Sequence, residues 1–199
     1  DLGAIAVQVN FPTILLTWPF AHDPKIGCAI ARSYNNHMAD IASYAPDRLK
    51  WVTAIDPADV EESVREIRRC RDLGSVGLML LGTYGDRHLD HPTFDPIWRT
   101  CAELDMPIAI HPGFCNNSLD HQYTQVYDAF MMPFVFTVLF AYYSVIRSGL
   151  LDKYPNLKVG FMETGARWVD FMTMRLHENS GQQSDRNPDV QWPAATTTE

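Results

Sequence analysis

The chain has 199 residues, 46% hydrophobic and 12% aromatic, with a formal net charge of −8. That composition supplies one sizeable core and excludes a disordered tail or a disulfide-stapled miniprotein, and the negative balance argues against a nucleic acid or anionic membrane held through a basic surface. Four cysteines without paired spacing, Cys28, Cys70, Cys101 and Cys115, predict free thiols and a cytoplasmic setting. The first residue is Asp1 rather than Met and no signal-like segment precedes the first apolar run, so the chain is expected to be cut from something longer.

Ile5 to Val9 reads as a short strand. The apolar piece from Phe11 to Phe20 is broken by Pro12 and Pro19 and reads as a loop. Asp23-Pro24 opens a helix, with Asp as the cap and Pro in the first turn, and Ile26, Ile30, Tyr34, Met38 and Ile41 are its predicted buried stripe. The same grammar then returns twice. Leu49 to Ile55 is a strand, Asp56-Pro57 caps a helix that buries Val60, Val64, Ile67 and Cys70, and Gly74 ends it. Val76 to Leu81 is a strand, Asp95-Pro96 starts a third helix carrying Ile97, Cys101 and Leu104, and Pro107 to Ile110 is the next strand. Alternating β and α with parallel strands leaves a doubly wound sheet or a (β/α)8 barrel.

Residues 116 to 128 are polar, and Ala129 to Ile146 contains no charged residue. Eighteen such residues approach the length of a membrane span, yet Pro133, Thr137 and Ser144 interrupt the stretch, so it reads as a largely buried helix and as a contact for a homodimer or higher oligomer. Leu157 to Met162 is the last strand and Trp168 to Leu176 the last helix. From Glu178 the composition turns polar, so residues 1–177 form the folded unit and 178–199 an extended or poorly ordered tail.

In parallel α/β folds the working groups sit where strands run into the following loops. His111 directly follows the strand Ile108-Ala109-Ile110, and Glu163 directly follows Val159 to Met162. An imidazole and a carboxylate at strand ends are the groups of a metal site or of an acid/base pair. Tyr84 and Phe114, just past strand ends, are candidates to line a pocket for a planar substrate. His88-Leu89-Asp90-His91 has ligand types in a loop beside Pro92 and reads as turn capping, while His22 and His121 read as surface. No phosphate-binding glycine loop and no Gly-x-Ser-x-Gly elbow occurs.

Several strings in order resemble the amidohydrolase-related (amidohydrolase 2) family, which includes aminocarboxymuconate-semialdehyde and resorcylate-type decarboxylases. They are Asn10-Phe11-Pro12-Thr13, Pro46-Asp47-Arg48-Leu49, Leu89-Asp90 with Pro92, Phe94, Pro96 and Trp98, Ile110-His111-Pro112-Gly113, and Gly149-Leu150-Leu151-Asp152-Lys153-Tyr154-Pro155. The resemblance implies a metal-dependent (β/α)8 barrel of which strands two to six are visible, acting as a hydrolase or non-oxidative decarboxylase on a small carboxylated ring or dienoic substrate. It implies a divalent metal, Zn2+ with Mn2+ as the alternative, and His111 as the strand-five metal ligand. Glu163 stands where the family has a strand-six His, which makes it the candidate catalytic acid/base. The family's first-strand His-x-His pair falls before residue 1, and its strand-eight Asp has no match after Glu178. A second reading is a diverged, non-catalytic relative that keeps the barrel shell for binding or assembly.

Overall fold

The computed structural model describes residues 5–16 and 23–183. In chain order the elements are β1 (Gln8–Asn10), α1 (Pro24–Ser43), β2 (Leu49–Thr53), α2 (Val60–Asp72), β3 (Gly77–Leu81), β4 (Thr83–Tyr84), β5 (Arg87–His88), α3 (Asp95–Glu103), β6 (Ile108–His111), α4 (Asn117–Asp120), α5 (Val126–Met131), α6 (Pro133–Arg147), α7 (Leu150–Lys153), β7 (Val159–Phe161) and α8 (Arg167–Gln183). Five strands form one sheet in the order β1-β2-β3-β6-β7, with every pair parallel. The sheet curls with helices on its outer side, which is the architecture of part of a (β/α)8 barrel. The hairpin β4–β5 stands apart from it and had no signal in the sequence.

Register assigns the two faces, because residues paired in a parallel ladder point the same way. Leu78 pairs with Ile108 and Leu80 with Ile110. These four pack with Ile67, Ile97, Trp98 and Cys101 from the helices, so they form the outer, helix-covered core. Met79 pairs with Ala109 and Leu81 with His111, on the opposite, concave face. There Leu16, Val52, Met79, Leu81 and Cys115 form a second apolar cluster. The alternation of the strands therefore carries His111 into the interior of the curl, at its C-terminal end.

The flanking helices correct several expectations. The side chain of Asp23 does cap α1, accepting from the Lys25 amide at 2.9 Å. The buried stripe of α1 is Gly27, Ala31, Asn35 and Ala42, and Ile26 is 53% exposed. The reason is a close approach: a Cβ on Gly27 would lie 1.8 Å from Asp56 Oδ2, so only small residues fit the contact line and the stripe is rotated by one position. Asp56 does not cap α2. Asp59 does, accepting from the Glu62 amide at 2.9 Å.

The uncharged stretch is broken between α5 and α6 at Met132 and Pro133 rather than forming one helix. Tyr127–Arg147 is long and apolar enough to cross a bilayer by length and composition, with a mean hydropathy of 1.9. In the fold, Val138, Ala141 and Val145 are buried along α6, and the backbone of Thr137 sits so close to Gly82 that a Cβ there would lie 2.1 Å from its carbonyl oxygen. The last helix continues past Glu178 to Gln183 instead of ending at Leu176, and Arg175 pairs with Glu178 at 2.9 Å. The rest of the expected tail, 184–199, lies outside the described residues, as do His22 and residues 17–20 of the Phe11–Phe20 loop.

Candidate active site

The C-terminal ends of β6 and β7 bring His111 and Glu163 together. Nε2 of His111 and Oε2 of Glu163 are 3.5 Å apart. The imidazole is 5% exposed, packed on the concave apolar cluster with the Phe11 ring centroid 6.1 Å away. The Glu163 carboxylate is 62% exposed and faces the open side. Glu163 has φ +56, a left-handed conformation that costs a non-glycine residue energy, and such strain concentrates at functional sites.

One contact sets the tautomer. Nδ1 of His111 lies 2.8 Å from the carbonyl oxygen of Pro112. A carbonyl can only accept, so Nδ1 donates to it and Nε2 is the ring nitrogen turned toward Glu163. A backbone carbonyl fixing one ring nitrogen while the other is left free is the arrangement found behind histidine metal ligands. The donor chemistry therefore fits one corner of a divalent-metal site, with a carboxylate beside it. Among the described residues no group of three His, Cys, Asp or Glu side chains converges.

The other predicted residues fall nearby but apart from this pair. Phe114 joins Phe130 and Phe134 in an aromatic trio, with centroids 4.9–5.4 Å apart. Phe134 packs on the concave cluster that holds Leu81 and Cys115. The loop carrying Phe114 is seated by its amide, which donates to the Leu16 carbonyl at 2.9 Å, and Gly113 has no room for a Cβ there. Tyr84 packs edge-on against Phe94, stands beside Asp56, and walls an apolar cleft with Ala54, Ile55, Met79 and Leu81 at the ends of β2 and β3. His91 caps its own turn, accepting from the Thr93 amide at 3.3 Å, and His88 packs on Phe140. His91 follows the turn-capping reading, whereas His88 lies in β5 and packs on a ring instead.

Asp56 is the residue the sequence reading placed in the wrong role. It is 1% exposed, its Oδ1 accepts from the Ala58 amide at 3.1 Å, and its Oδ2 has no hydrogen-bond partner among the described residues. Burial pushes this carboxyl above the ordinary carboxylate range, against the lowering influence of the Ala58 amide and the Tyr84 hydroxyl. Two aspartates three apart, Asp56 and Asp59, compete for one helix cap. That spacing was the signal that one of them does something else.

The profile of the Amidohydrolase family matches residues 18–190. The chain belongs to the amidohydrolase family. It is 26% identical over 162 residues to 2-amino-3-carboxymuconate-6-semialdehyde decarboxylase of Dictyostelium discoideum, covering 81% of this chain and 44% of that protein. It is 30% identical over 174 residues to gamma-resorcylate decarboxylase of Rhizobium radiobacter, covering 79% and 51%. Among solved structures, 5-carboxyvanillate decarboxylase of Novosphingobium aromaticivorans, complexed with manganese and 4-hydroxy-3-methoxy-5-nitrobenzoic acid, superposes with a TM-score of 0.68 at 28% identity, covering 82% and 48%. An amidohydrolase of Mycobacterium avium subsp. paratuberculosis shares the fold with a TM-score of 0.77 at 19% identity, covering 92% and 50%. The chain spans about half the length of the curated relatives it matches.

Proposed function

We propose that the protein carrying this chain is a metal-dependent decarboxylase that removes CO2 from a small, hydroxylated aromatic carboxylate. The observation that carries the reading is His111, buried at the C-terminal end of a strand of an amidohydrolase fold with Nδ1 bonded to the Pro112 carbonyl and Nε2 turned toward Glu163. The names of the relatives favour decarboxylation over hydrolysis.

His111 would be one protein ligand of a divalent cation. Zn2+ follows from the sequence-based expectation and Mn2+ from the ion in a related structure. When bound, the ion would supply positive charge to hold an anionic substrate and to stabilise charge that builds up on it. The chain's own residues do the rest. The Phe114, Phe130 and Phe134 trio forms an apolar wall near the concave cluster, suited to an aromatic ring and to excluding water. Tyr84 lines the neighbouring cleft with its hydroxyl beside Asp56. Breaking the ring-carboxyl bond releases CO2 and requires a proton on the ring carbon. Two roles are open to Glu163 there: holding that proton at Oε2, or ligating the ion. The exposed apolar side chains Tyr127, Phe130 and Met131 on α5 fit a homodimer or higher oligomer.

Turnover of 2,6-dihydroxybenzoate and 5-carboxyvanillate, followed by CO2 release in chelated and Mn2+- or Zn2+-reloaded protein, tests this reading. Activity that vanishes on chelation, returns with metal, and falls more than about 100-fold in His111→Gln supports it. Full activity after chelation, or in His111→Gln, overturns it. Absence of both turnover and stoichiometric metal would favour the non-catalytic relative.

A further inference from the structure

The apolar cleft at the C-terminal ends of β2 and β3 has a volume of about 380 Å3. Met79 and Leu81 in its wall also belong to the concave cluster, and Leu81 is the register partner of His111, so the cleft adjoins the interior of the curl. A space of this size with apolar walls suits a benzene ring, and its few polar groups decide which ring is taken. Among the described residues, only two side chains lining it are polar, Thr83 and Tyr84. The Thr83 hydroxyl is turned to the Cys115 carbonyl at 3.4 Å, which leaves the Tyr84 phenol as the polar point of the cleft.

That phenol is held from two sides. Its ring stands edge-on to the buried Phe94 ring with centroids 6.1 Å apart, and its backbone pairs with Arg87 across the β4–β5 hairpin. Its hydroxyl meets the Asp56 carboxyl as a donor. Asp56 is clamped in turn: Oδ1 accepts from the Ala58 amide at 3.1 Å, and the Ser63 hydroxyl donates to its carbonyl at 2.8 Å. Oδ2 lies so close to Gly27 that a Cβ there would be 1.8 Å away. A carboxylate only accepts, so it takes the phenol's one donor and leaves the lone pairs of the Tyr84 oxygen for a ligand. A ring hydroxyl can donate to those lone pairs, and a methoxyl in the same place cannot. We propose that Tyr84 selects a ring bearing a hydroxyl over one bearing a methoxyl, and that Asp56 is the positioning residue that keeps the Tyr84 oxygen an acceptor. The inference rests on the aromatic-carboxylate reading above and deepens it.

The test is run on the full-length protein carrying this chain, by calorimetric titration with two pairs of aromatic acids. One pair is 4-hydroxybenzoate and 4-methoxybenzoate, the other 3,5-dihydroxybenzoate and 3-hydroxy-5-methoxybenzoate. None carries a hydroxyl beside its carboxylate, so a change in preference does not report on chelation through that position. Wild type is expected to bind the more hydroxylated member of at least one pair about tenfold more tightly. Tyr84→Phe keeps the ring and is expected to erase that preference while the methoxy compound binds within about twofold of wild type. Asp56→Asn can turn its amide N–H toward the Tyr84 oxygen and is expected to lower the preference in the same way, with no further loss in the double variant. A merely structural role would weaken both members of a pair alike. Circular dichroism checks folding, and Asp56→Ala serves if the amide variant misfolds. If wild type shows no preference, or Tyr84→Phe keeps it, the selection by Tyr84 is overturned and the aromatic-carboxylate reading stands. If Tyr84→Phe loses the preference while the Asp56 variants retain it, the positioning role of Asp56 is overturned. If wild type binds no aromatic carboxylate, both the inference and the reading beneath it are overturned.

Discussion

Two regions of the molecule treat buried polar groups in opposite ways. Between α1 and α2, Glu66 is buried and fully matched: Asn35 donates to Oε1 at 2.9 Å, Arg69 reaches both oxygens at 2.5 and 2.8 Å, and Arg32 lies 3.2 Å from Oε2. Asn35 also closes onto β2, donating to the Ala54 carbonyl and accepting from the Ala54 amide, both at 2.9 Å. At the C-terminal ends of the strands the matching stops. Asp56 Oδ2 has no hydrogen-bond partner among the described residues, and Nε2 of the buried His111 stands 3.5 Å from Oε2 of the exposed Glu163, longer than an ordinary hydrogen bond. The matched groups tie α1 and α2 to β2, whereas at the strand ends a buried carboxyl oxygen of Asp56 goes unmatched among the described residues.

The largest expected effect comes from breaking the matched region. Glu66→Ala leaves a guanidinium and an amide without their acceptor in a buried place and is expected to cost about 3 kcal/mol in thermal or denaturant unfolding, with metal binding unchanged. Burial alone would raise the Glu66 carboxyl, but the hydrogen bonds from Arg69 and Asn35 outweigh it and hold it below the ordinary carboxylate value. A depressed folded value means the stabilisation is present above about pH 4.5 and fades as pH falls through the lower folded value. Glu66→Gln is expected to flatten that acid limb.

Gly27→Ala comes next, at about 1–3 kcal/mol, because its Cβ would fall 1.8 Å from Asp56 Oδ2. The double variant with Asp56→Ala removes the obstructing atoms and should recover much of the loss. Strict additivity in that cycle would show that the two residues do not meet.

Asp56→Asn is a smaller change with an informative sign. The Asp56 carboxyl is raised by burial, so its ionisation opposes the fold as pH climbs from the ordinary carboxylate value through the raised one. The amide variant should match wild type in acid and be the more stable at neutral pH, opposite in slope to the Glu66 variants. Equal pH profiles would contradict the assignment. The smallest effect leaves the fold untouched: burial, with Asp56, Asp59, Glu62 and Glu66 nearby, pushes the Cys28 thiol up to about 11. Its alkylation at pH 8 is expected to be about 100-fold slower than that of a free cysteine.

The same contrast explains what the sequence made legible. Alternating β and α segments, the helix starts at Asp23-Pro24 and Asp95-Pro96 and the strand-end positions of His111 and Glu163 follow from local rules, and the structure keeps them, whereas Asp56-Pro57 precedes α2 without capping it. The face of α1 did not, because its contact line is set by the close approach of Gly27 to Asp56, a partner distant in sequence. Asp56 was hidden for a related reason: a cap and a buried carboxyl carry the same residue type, and only Asp59 bonding to the Glu62 amide tells them apart. Likewise His111 could be named as a ligand type from its position, but which ring nitrogen faces the strand-end opening becomes visible only once the Pro112 carbonyl is seen to hold the other.

The most direct test of a metal centre built on His111 is pulsed electron paramagnetic resonance of Mn2+-loaded protein. The account predicts nitrogen modulation from a coordinated imidazole in wild type that disappears in His111→Gln. Modulation that is absent from wild type, or that persists unchanged in the variant, would contradict it.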